Sequence, residues 1–379
     1  MKLVKKKNYF YIKIFQTNIL FFFFFLIKII FFTNKNVNIE VLSPKQLFLY
    51  NSNWQRWIWK GYLVLKNKIY IINQIKVWKV EYLKNKQFYA LKEMQKAKVI
   101  NKKSVNSVMN ERQLLSGLSH PFLINMLYAF QDRQSLYLVM DLLTGGDLRY
   151  HISSRRKFTE QQTKFFTACI IIGLEYLHSN GIIHRDIKPE NIVFDSMGYL
   201  RITDLGIARI WKPDNSQDTS GTPGYMAPEV MCRQNHGVAV DYYALGIIVY
   251  ECMIGKRPYV GKSRQEIRDQ ILAKQVQLKK SDVPEGWTLE AADFANRLIQ
   301  RKPANRLGLN GPQEVKNHPW FKGFPWQKLL DKQLTPQFIP NIDQQNFISD
   351  NRNDSIDENC QQTQILLRRN SIQVFWILI

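Results

Sequence analysis

The stretch that decides the fold reads His184-Arg185-Asp186-Ile187-Lys188-Pro189-Glu190-Asn191. It is followed by Thr203-Asp204-Leu205-Gly206 and then by Ala227-Pro228-Glu229, in which Glu229 lies 25 residues after Asp204. His184-Arg185-Asp186 alone would be compatible with an ordinary polar turn. The order and spacing of the three segments make a chance occurrence negligible, so together they indicate one functional site.

In this order the segments resemble the eukaryotic protein kinases. The resemblance implies an α+β fold of two lobes, a small β-rich N-lobe with one helix and a larger, mainly helical C-lobe. It also implies an enzyme that uses ATP and Mg²⁺ to phosphorylate proteins. Asp186 would then be the catalytic base and Lys188 would steady the transferred phosphoryl group, while Asn191 and Asp204 would hold Mg²⁺ through oxygen atoms.

A lysine and a glutamate upstream extend the resemblance. Lys92 in Tyr89-Ala90-Leu91-Lys92 matches the family's strand lysine, which contacts the nucleotide phosphates, and Glu111, 19 residues later, matches its helix partner. A solitary pair of this kind is usually a solvated surface pair, so the assignment depends on its place relative to the other segments. The same resemblance assigns further residues to the ATP site: Val77, Ala90, Met140, Asp141, Leu143 and Val193.

Local patterns agree with a β-rich segment followed by a helical one. Residues 88–91 and 136–140 are short aromatic or branched runs that predict strands. A helix is predicted from about 106 to 118, because apolar residues recur on one side until Pro121 ends the run. Thr159-Glu160-Gln161-Gln162 has the form of a capping box that opens a helix, and residues 241–253 are apolar nearly all round, as in a buried central helix.

Further motifs resemble the AGC group of Ser/Thr kinases. They are His120-Pro121-Phe122-Leu123 and the run from Gly221-Thr222-Pro223 to Glu229, while Gly145-Gly146-Asp147-Leu148-Arg149-Tyr150-His151 looks like the YANK branch. In this family Lys188, between Asp186 and Asn191, favours Ser/Thr over Tyr as the acceptor.

Three acidic residues bear on the substrate. Asp147, Glu190 and Glu251 match positions that receive substrate arginines in cyclic-AMP-dependent protein kinase. The resemblance therefore implies protein substrates with basic motifs. The alternative is that these carboxylates serve helix ends and solubility.

The activation loop departs from the AGC pattern. The family's phosphorylated threonine would stand three residues before Gly221, where this chain has Asp218. Arg185 and Arg209 match two bases of the cluster that binds the phosphate, and Ser107 stands where a helix histidine would complete it. A carboxylate carries less charge than a phosphate, so partial, phosphorylation-independent activity is expected. Thr219 or Ser220 is expected to be a secondary phosphorylation site, and Thr222 lies in the same loop. Alternatively, Asp218 is only a solvated loop residue.

Other residues match structural roles in the family. The resemblance implies that Glu229 and Arg306 form a buried ion pair in the large lobe. It implies that Asp241 ties the catalytic loop to the central helix, at the base of a hydrophobic spine formed by Leu115, Met126, His184 and Leu205.

The predicted domains are a doubtful extension over 1–60, a kinase domain over 61–321 that divides near residue 143 into N-lobe and C-lobe (144–321), and an AGC-like, partly disordered tail over 322–379. The extension contains 19 mostly apolar residues from 14 to 32, interrupted by Lys28. They have three interpretations: a faulty gene model up to about residue 76, a signal anchor, or a soluble extension.

Composition bounds the partners and location. The net charge of +22 does not by itself indicate nucleic-acid binding, and the four cysteines form no C-x-x-C pair. We expect a cytoplasmic protein, because ATP and reductant are available in the cytoplasm. The alternative is association with a membrane through the apolar segment at 14–32. The sequence predicts no oligomeric state.

One family feature is missing. The Gly-rich hairpin over the ATP phosphates needs residues without Cβ, but Tyr70, Ile72 and Ile75 stand where its three glycines should be. Two hypotheses follow: an active kinase with a misassigned start, or a pseudokinase that acts as a binding scaffold.

Overall fold

The computed structural model describes residues 3–6, 9–12, 63–72, 75–83 and 85–341, with side chains from residue 76 onward. The segment 14–32, and with it the question of a signal anchor, lies outside the described residues, as does the tail beyond 341. In the first of two compact units, β1 (Leu3–Lys6) and β2 (Tyr9–Ile12) pair as an antiparallel hairpin. The remaining elements belong to the second unit.

The N-lobe is built on an antiparallel sheet of five strands. These are β3 (Leu63–Ile72), β4 (Ile75–Tyr82), β5 (Gln87–Gln95), β6 (Met126–Gln131) and β7 (Ser135–Asp141), in the order β3-β4-β5-β7-β6. The register pairs Val77 with Lys92, and Ala90 with Met140. The strands predicted at 88–91 and 136–140 are confirmed. Their pairing puts five of the predicted nucleotide-site residues on three neighbouring strands: Val77, Ala90, Lys92, Met140 and Asp141.

The prediction of one helix in the N-lobe was incomplete, because the described part of this lobe contains two. They are α1 (Lys96–Asn101) and α2 (Val105–Ser116). The second confirms the helix predicted at about 106–118. The first was missed because it has only six residues, among which Val99 alone is buried, so it has too few apolar positions for a helical stripe.

The C-lobe begins with two helices, α3 (Leu148–Arg155) and α4 (Glu160–Ser179). The capping box is confirmed: Thr159 Oγ1 accepts from the Gln162 backbone N–H at 3.2 Å, and the Gln162 side chain accepts from the Thr159 N–H at 3.1 Å. Short strands follow, which pair as two antiparallel ribbons: β8 (Ile182–Ile183) with β11 (Arg209–Ile210), and β9 (Ile192–Phe194) with β10 (Leu200–Ile202). The segments 184–191 and 203–206 therefore lie in the loops that join these two ribbons.

The rest of the C-lobe is helical. Its elements are α5 (Pro228–Met231), α6 (Ala239–Ile254), α7 (Arg264–Ala273), α8 (Leu289–Leu298), α9 (Pro312–Lys316) and α10 (Trp326–Leu330). Nearly every residue of α6 is buried, as its apolar pattern predicts. This helix therefore forms the centre of the C-lobe core.

The first part of the predicted tail packs on the C-lobe. Phe338 is 6% exposed and its ring contacts those of Phe166 and Phe194. Tyr199 Oη donates to the carbonyl of Leu334 at 2.5 Å. The tail is thus fixed against the lobe as far as Pro340. None of the described helices is long and apolar enough to cross a membrane.

Candidate active site

Asp186 lies at the centre of a compact polar cluster. Its Oδ2 accepts from Lys188 Nζ at 2.7 Å, and its Oδ1 accepts from Thr222 Oγ1 at 2.7 Å and from the Thr222 backbone N–H at 3.0 Å. Burial alone would raise the pKa of Asp186, but the Lys188 ammonium and the Thr222 hydroxyl outweigh burial and hold that pKa below its ordinary value. Asp186 is therefore ionised at neutral pH and can accept a proton from, or orient, a hydroxyl group.

The two predicted metal ligands lie on adjoining loops. Asn191 Nδ2 donates to the backbone carbonyl of Asp186 at 2.9 Å, and the backbone carbonyl of Asn191 accepts from the Thr203 N–H at 2.9 Å. Asp204 follows Thr203 with φ of 61°, and its side chain is solvent-exposed. A positive φ in a non-glycine residue is costly and is common at functional sites.

These residues fit a magnesium ion by the chemistry of their donor atoms. The Asn191 amide N–H₂ is used within the protein, which leaves its carbonyl oxygen, and Asp204 offers a carboxylate oxygen. Mg²⁺ prefers such hard oxygen ligands, usually one or two from the protein with the remainder from phosphates and water. The described residues contain no cluster of three His, Cys, Asp or Glu side chains that would hold a metal by themselves.

Lys92 and Glu111 form a close pair between β5 and α2. Lys92 Nζ donates to Glu111 Oε1 at 2.8 Å and to Oε2 at 2.9 Å. The side chains are only 16% and 7% exposed, so this is not the solvated surface pair of the simpler explanation. The pair fixes the lysine ammonium beside the sheet, one strand away from Val77.

Helix α2 is also joined directly to the segment around Asp204. Ser107 Oγ donates to the carbonyl of Gly206 at 2.7 Å. Asn110 Nδ2 donates to the carbonyls of Leu205 and Ala208 at 3.2 and 2.9 Å. The contacts of Asn110 were not predicted from the sequence; its place next to Glu111 was the only available signal.

The other predicted nucleotide residues divide into two groups. Val77, Ala90 and Leu143 are buried, Met140 and Val193 are partly buried, and all are apolar. Asp141 is the polar member of the set. Its Oδ2 accepts from Arg201 at 2.6 Å and from Asn125 Nδ2 at 2.8 Å, so its side chain joins β7 to β10.

In the activation loop, between Asp204 and Glu229, only one of the two expected arginines contacts Asp218. Arg185 Nη1 lies 3.3 Å from Asp218 Oδ2, and the aspartate side chain is 47% exposed. Arg209, the expected second base, instead donates to the carbonyl of Ala208 at 2.8 Å, and no ion pair joins it to Asp218 in the described part of the chain. Thr222 belongs to the Asp186 cluster, whereas Ser220 is exposed.

Two of the three predicted substrate-binding carboxylates are already paired within the protein. Glu190 Oε1 accepts from Arg149 Nε at 2.9 Å, and Glu251 Oε1 accepts from Arg149 Nη1 at 2.8 Å. Asp147 caps α3 by accepting from the Tyr150 N–H at 2.8 Å. Arg149 was overlooked at the level of sequence, although it belongs to the same motif as Asp147.

The structural residues contact each other as the resemblance implied. Asp241 accepts from the backbone N–H groups of His184 and Arg185 at 2.9 and 2.8 Å. Glu229 accepts two hydrogen bonds from Arg306, at 2.6 and 2.9 Å. The catalytic loop is thereby anchored on α6, and the end of the activation segment on the C-lobe core.

Comparison with known proteins gives a consistent assignment. Residues 74–321 match the family model described as "Protein kinase domain". The chain is 41% identical over 267 residues to a probable serine/threonine-protein kinase of Dictyostelium discoideum, covering 70% of this chain and 58% of that protein. It is 36% identical over 272 residues to the cAMP-dependent protein kinase catalytic subunit of the same organism, covering 71% and 41%.

A third relative is the serine/threonine-protein kinase Sgk1 of Xenopus tropicalis, which is 38% identical over 262 residues, covering 68% of this chain and 62% of that protein. The match therefore spans less than two thirds of the length of each of these three relatives.

Proposed function

The chain belongs to the protein kinase family, in the AGC group of Ser/Thr kinases, and on this premise we propose that it transfers the γ-phosphoryl group of ATP to Ser and Thr hydroxyls of proteins. The observation that supports this most is the ionised Asp186 carboxylate held by Lys188 and Thr222, together with the closed Lys92–Glu111 pair. An acceptor hydroxyl loses its proton toward Asp186 while its oxygen forms the new bond to phosphorus and the bond to ADP breaks.

The remaining predicted site residues would neutralise the negative charge of the phosphates. Lys92 would contact the nucleotide phosphates, and Lys188 would stabilise the phosphoryl group in transfer. Asn191 and Asp204 would hold the magnesium ion, which supplies neutralisation of the phosphate charge when bound. The finer assignments, the YANK branch and a cytoplasmic location, belong to the same proposal.

A second candidate function, a pseudokinase scaffold, is favoured by one observation. The β3–β4 hairpin is present, with Tyr70 paired to Val77 and Ile72 to Ile75, yet it carries none of the glycines that let backbone N–H groups approach phosphates. Thermal unfolding of the full chain with and without Mg·ATP separates the two. The kinase should be stabilised by about 2.7 kcal/mol at a nucleotide concentration of 100 Kd, whereas a scaffold that binds no nucleotide should not shift.

We propose a basic substrate motif that depends chiefly on Asp147. Burial, and to a smaller extent the nearby charge of Glu190, raises the pKa of this carboxyl to about 6, against the hydrogen bond from Tyr150. Asp147 forms no ion pair among the described residues, so its charge is available to a substrate arginine.

The raised pKa of Asp147 predicts a pH-dependent choice of substrate. Above pH 6 the carboxylate is charged and should favour an arginine peptide over its alanine counterpart; as the pH falls through about 6, it gains a proton and the preference should decline. The measurement is the ratio of kcat/KM for the two peptides from pH 5 to 8. Asp147→Asn should show a small ratio at every pH, and a wild-type ratio that stays constant across this range would contradict the assignment.

The contact between Asp218 and Arg185 predicts activity without phosphorylation of the loop. Phosphatase-treated protein should retain activity. Asp218→Ala should lose roughly three- to tenfold, because an ion pair whose aspartate is half-exposed contributes up to about 1 kcal/mol and its loss also loosens the loop. Asp214→Ala, another exposed aspartate of the same segment, is the matched control. If phosphatase treatment abolishes activity, or if Asp218→Ala leaves activity unchanged, the Asp218–Arg185 contact does not replace phosphorylation of the loop.

A further inference from the structure

Arg149 is enclosed by acceptors beside the catalytic loop. Its guanidinium donates to Glu190 through Nε at 2.9 Å, and to Glu251 through Nη1 at 2.8 Å and Nη2 at 3.2 Å. Tyr225 Oη also contacts Nη2. Four separate contacts thus engage all three nitrogen atoms, which is the planar, multidentate binding that suits a guanidinium.

The partners of this guanidinium differ in their exposure to solvent. The Arg149 side chain is 18% exposed and that of Glu251 only 6%, whereas Glu190 remains 43% exposed. Burial raises the pKa of Tyr225, so its phenol stays protonated and donates to Glu251 Oε2 at 2.5 Å. The oxygens of Glu251 are therefore fully used, and only Glu190 keeps an oxygen open to solvent.

The cluster adjoins the place where the acceptor must bind. Glu190 is four residues after Asp186 in the catalytic loop, and Tyr225 is three residues after Thr222, which hydrogen-bonds to Asp186. A side chain of a bound substrate that lies near the acceptor hydroxyl would therefore meet the surface of this cluster. Its charge is −1, from two carboxylates and one guanidinium.

We propose that Arg149 is a built-in occupant of the site that Glu190 and Glu251 would otherwise offer to a substrate arginine, and that it is a specificity-determining residue. A substrate guanidinium would have to displace one that is tethered to α3 and held at high effective concentration. The displaced Arg149 would then lie beside a second cation. The protein therefore selects arginine at the substrate position that faces Asp147 and not at the position that faces Glu251.

This inference rests on the proposed kinase function, and an arginine scan tests it. Peptides with one serine and a single arginine at each of five upstream positions are compared with the all-alanine peptide, as ratios of kcat/KM within each variant. The wild type should prefer arginine at one position only. Arg149→Ala should add a second position with a gain of about tenfold, and Arg149→Ala combined with Glu251→Gln should lose that gain.

The controls separate specificity from damage to the fold. Arg297→Ala removes an exposed arginine paired with Asp293 on α8 and should leave the wild-type pattern. Arg149→Lys, which cannot bind as a fork, is the milder variant if Arg149→Ala does not fold. If the wild type strongly prefers arginine at two peptide positions, the proposal is wrong. It is also wrong if Arg149→Ala folds but gains no preference for arginine at a second position.

Peptide binding provides a readout that does not need turnover. Fluorescence anisotropy of labelled peptides should show about tenfold tighter binding of the second-position arginine peptide by Arg149→Ala than by the wild type. If no peptide is phosphorylated but this difference appears, the proposed function fails and the role of Arg149 stands. Equal affinity in both proteins would refute the role of Arg149 alone.

Discussion

Replacing Asp204 by Asn is expected to reduce phosphoryl transfer by about 1,000-fold or more while leaving the fold intact. The substitution removes the negative charge that would hold Mg²⁺ but keeps the Oδ1 atom, which accepts from the Gly206 N–H at 3.1 Å. Because the side chain is exposed, little packing is lost. The measurement is kcat/KM for a serine peptide together with the thermal unfolding midpoint.

A matched variant and a second site sharpen this test. Asp214→Asn makes the same change at an exposed aspartate of the following segment and should keep wild-type activity. Lys92→Met should be as inactive as Asp204→Asn, since it removes the cation that Glu111 positions at 2.8 Å. Asp204→Asn with activity within about threefold of the wild type would show that the metal assignment is wrong.

The second large effect concerns stability. Replacing Arg306 by Met should lower the free energy of unfolding by about 3–5 kcal/mol, because it leaves the Glu229 carboxylate buried and unpaired. The two side chains are 0% and 2% exposed. Arg306 also donates to the carbonyls of Gln300 and Ala239, at 2.9 and 3.1 Å, which would lose their donor as well.

Denaturant unfolding measures this loss, and the surface pair Arg297–Asp293 provides the comparison. Its side chains are 57% and 49% exposed, so Arg297→Met should cost at most about 1 kcal/mol. If Arg306→Met costs no more than Arg297→Met, the pair does not secure the activation segment to the lobe.

The parts of the molecule whose position could be predicted lie in short, contiguous segments. Asp186, Lys188 and Asn191 occupy one loop that was identified by its resemblance to a kinase motif, and the capping box at Thr159 spans four residues, so local hydrogen bonding was sufficient to predict it. The strand and helix that carry Lys92 and Glu111 are long enough to show a periodic pattern. Their pairing was inferred from resemblance, and the structure places the two side chains in contact.

The contacts that could not be predicted depend on which side chains tertiary packing brings together. Arg149 and Glu251 are 102 positions apart in the sequence, and no local pattern shows that they meet. Arg209 was expected beside Asp218, but its guanidinium donates instead to the backbone carbonyl of the adjacent residue, Ala208. A carboxylate or guanidinium has several partners within reach in a folded loop, and only the packed geometry decides among them.

The most direct test of the kinase assignment is phosphoryl transfer by the full chain from γ-labelled ATP with Mg²⁺ to a serine or threonine peptide. The account predicts label on Ser or Thr that requires Mg²⁺ and disappears in Asp186→Asn, with the variant as stable as the wild type. Folded wild-type protein that transfers no label, and that is not stabilised by Mg·ATP, would contradict it and leave the scaffold.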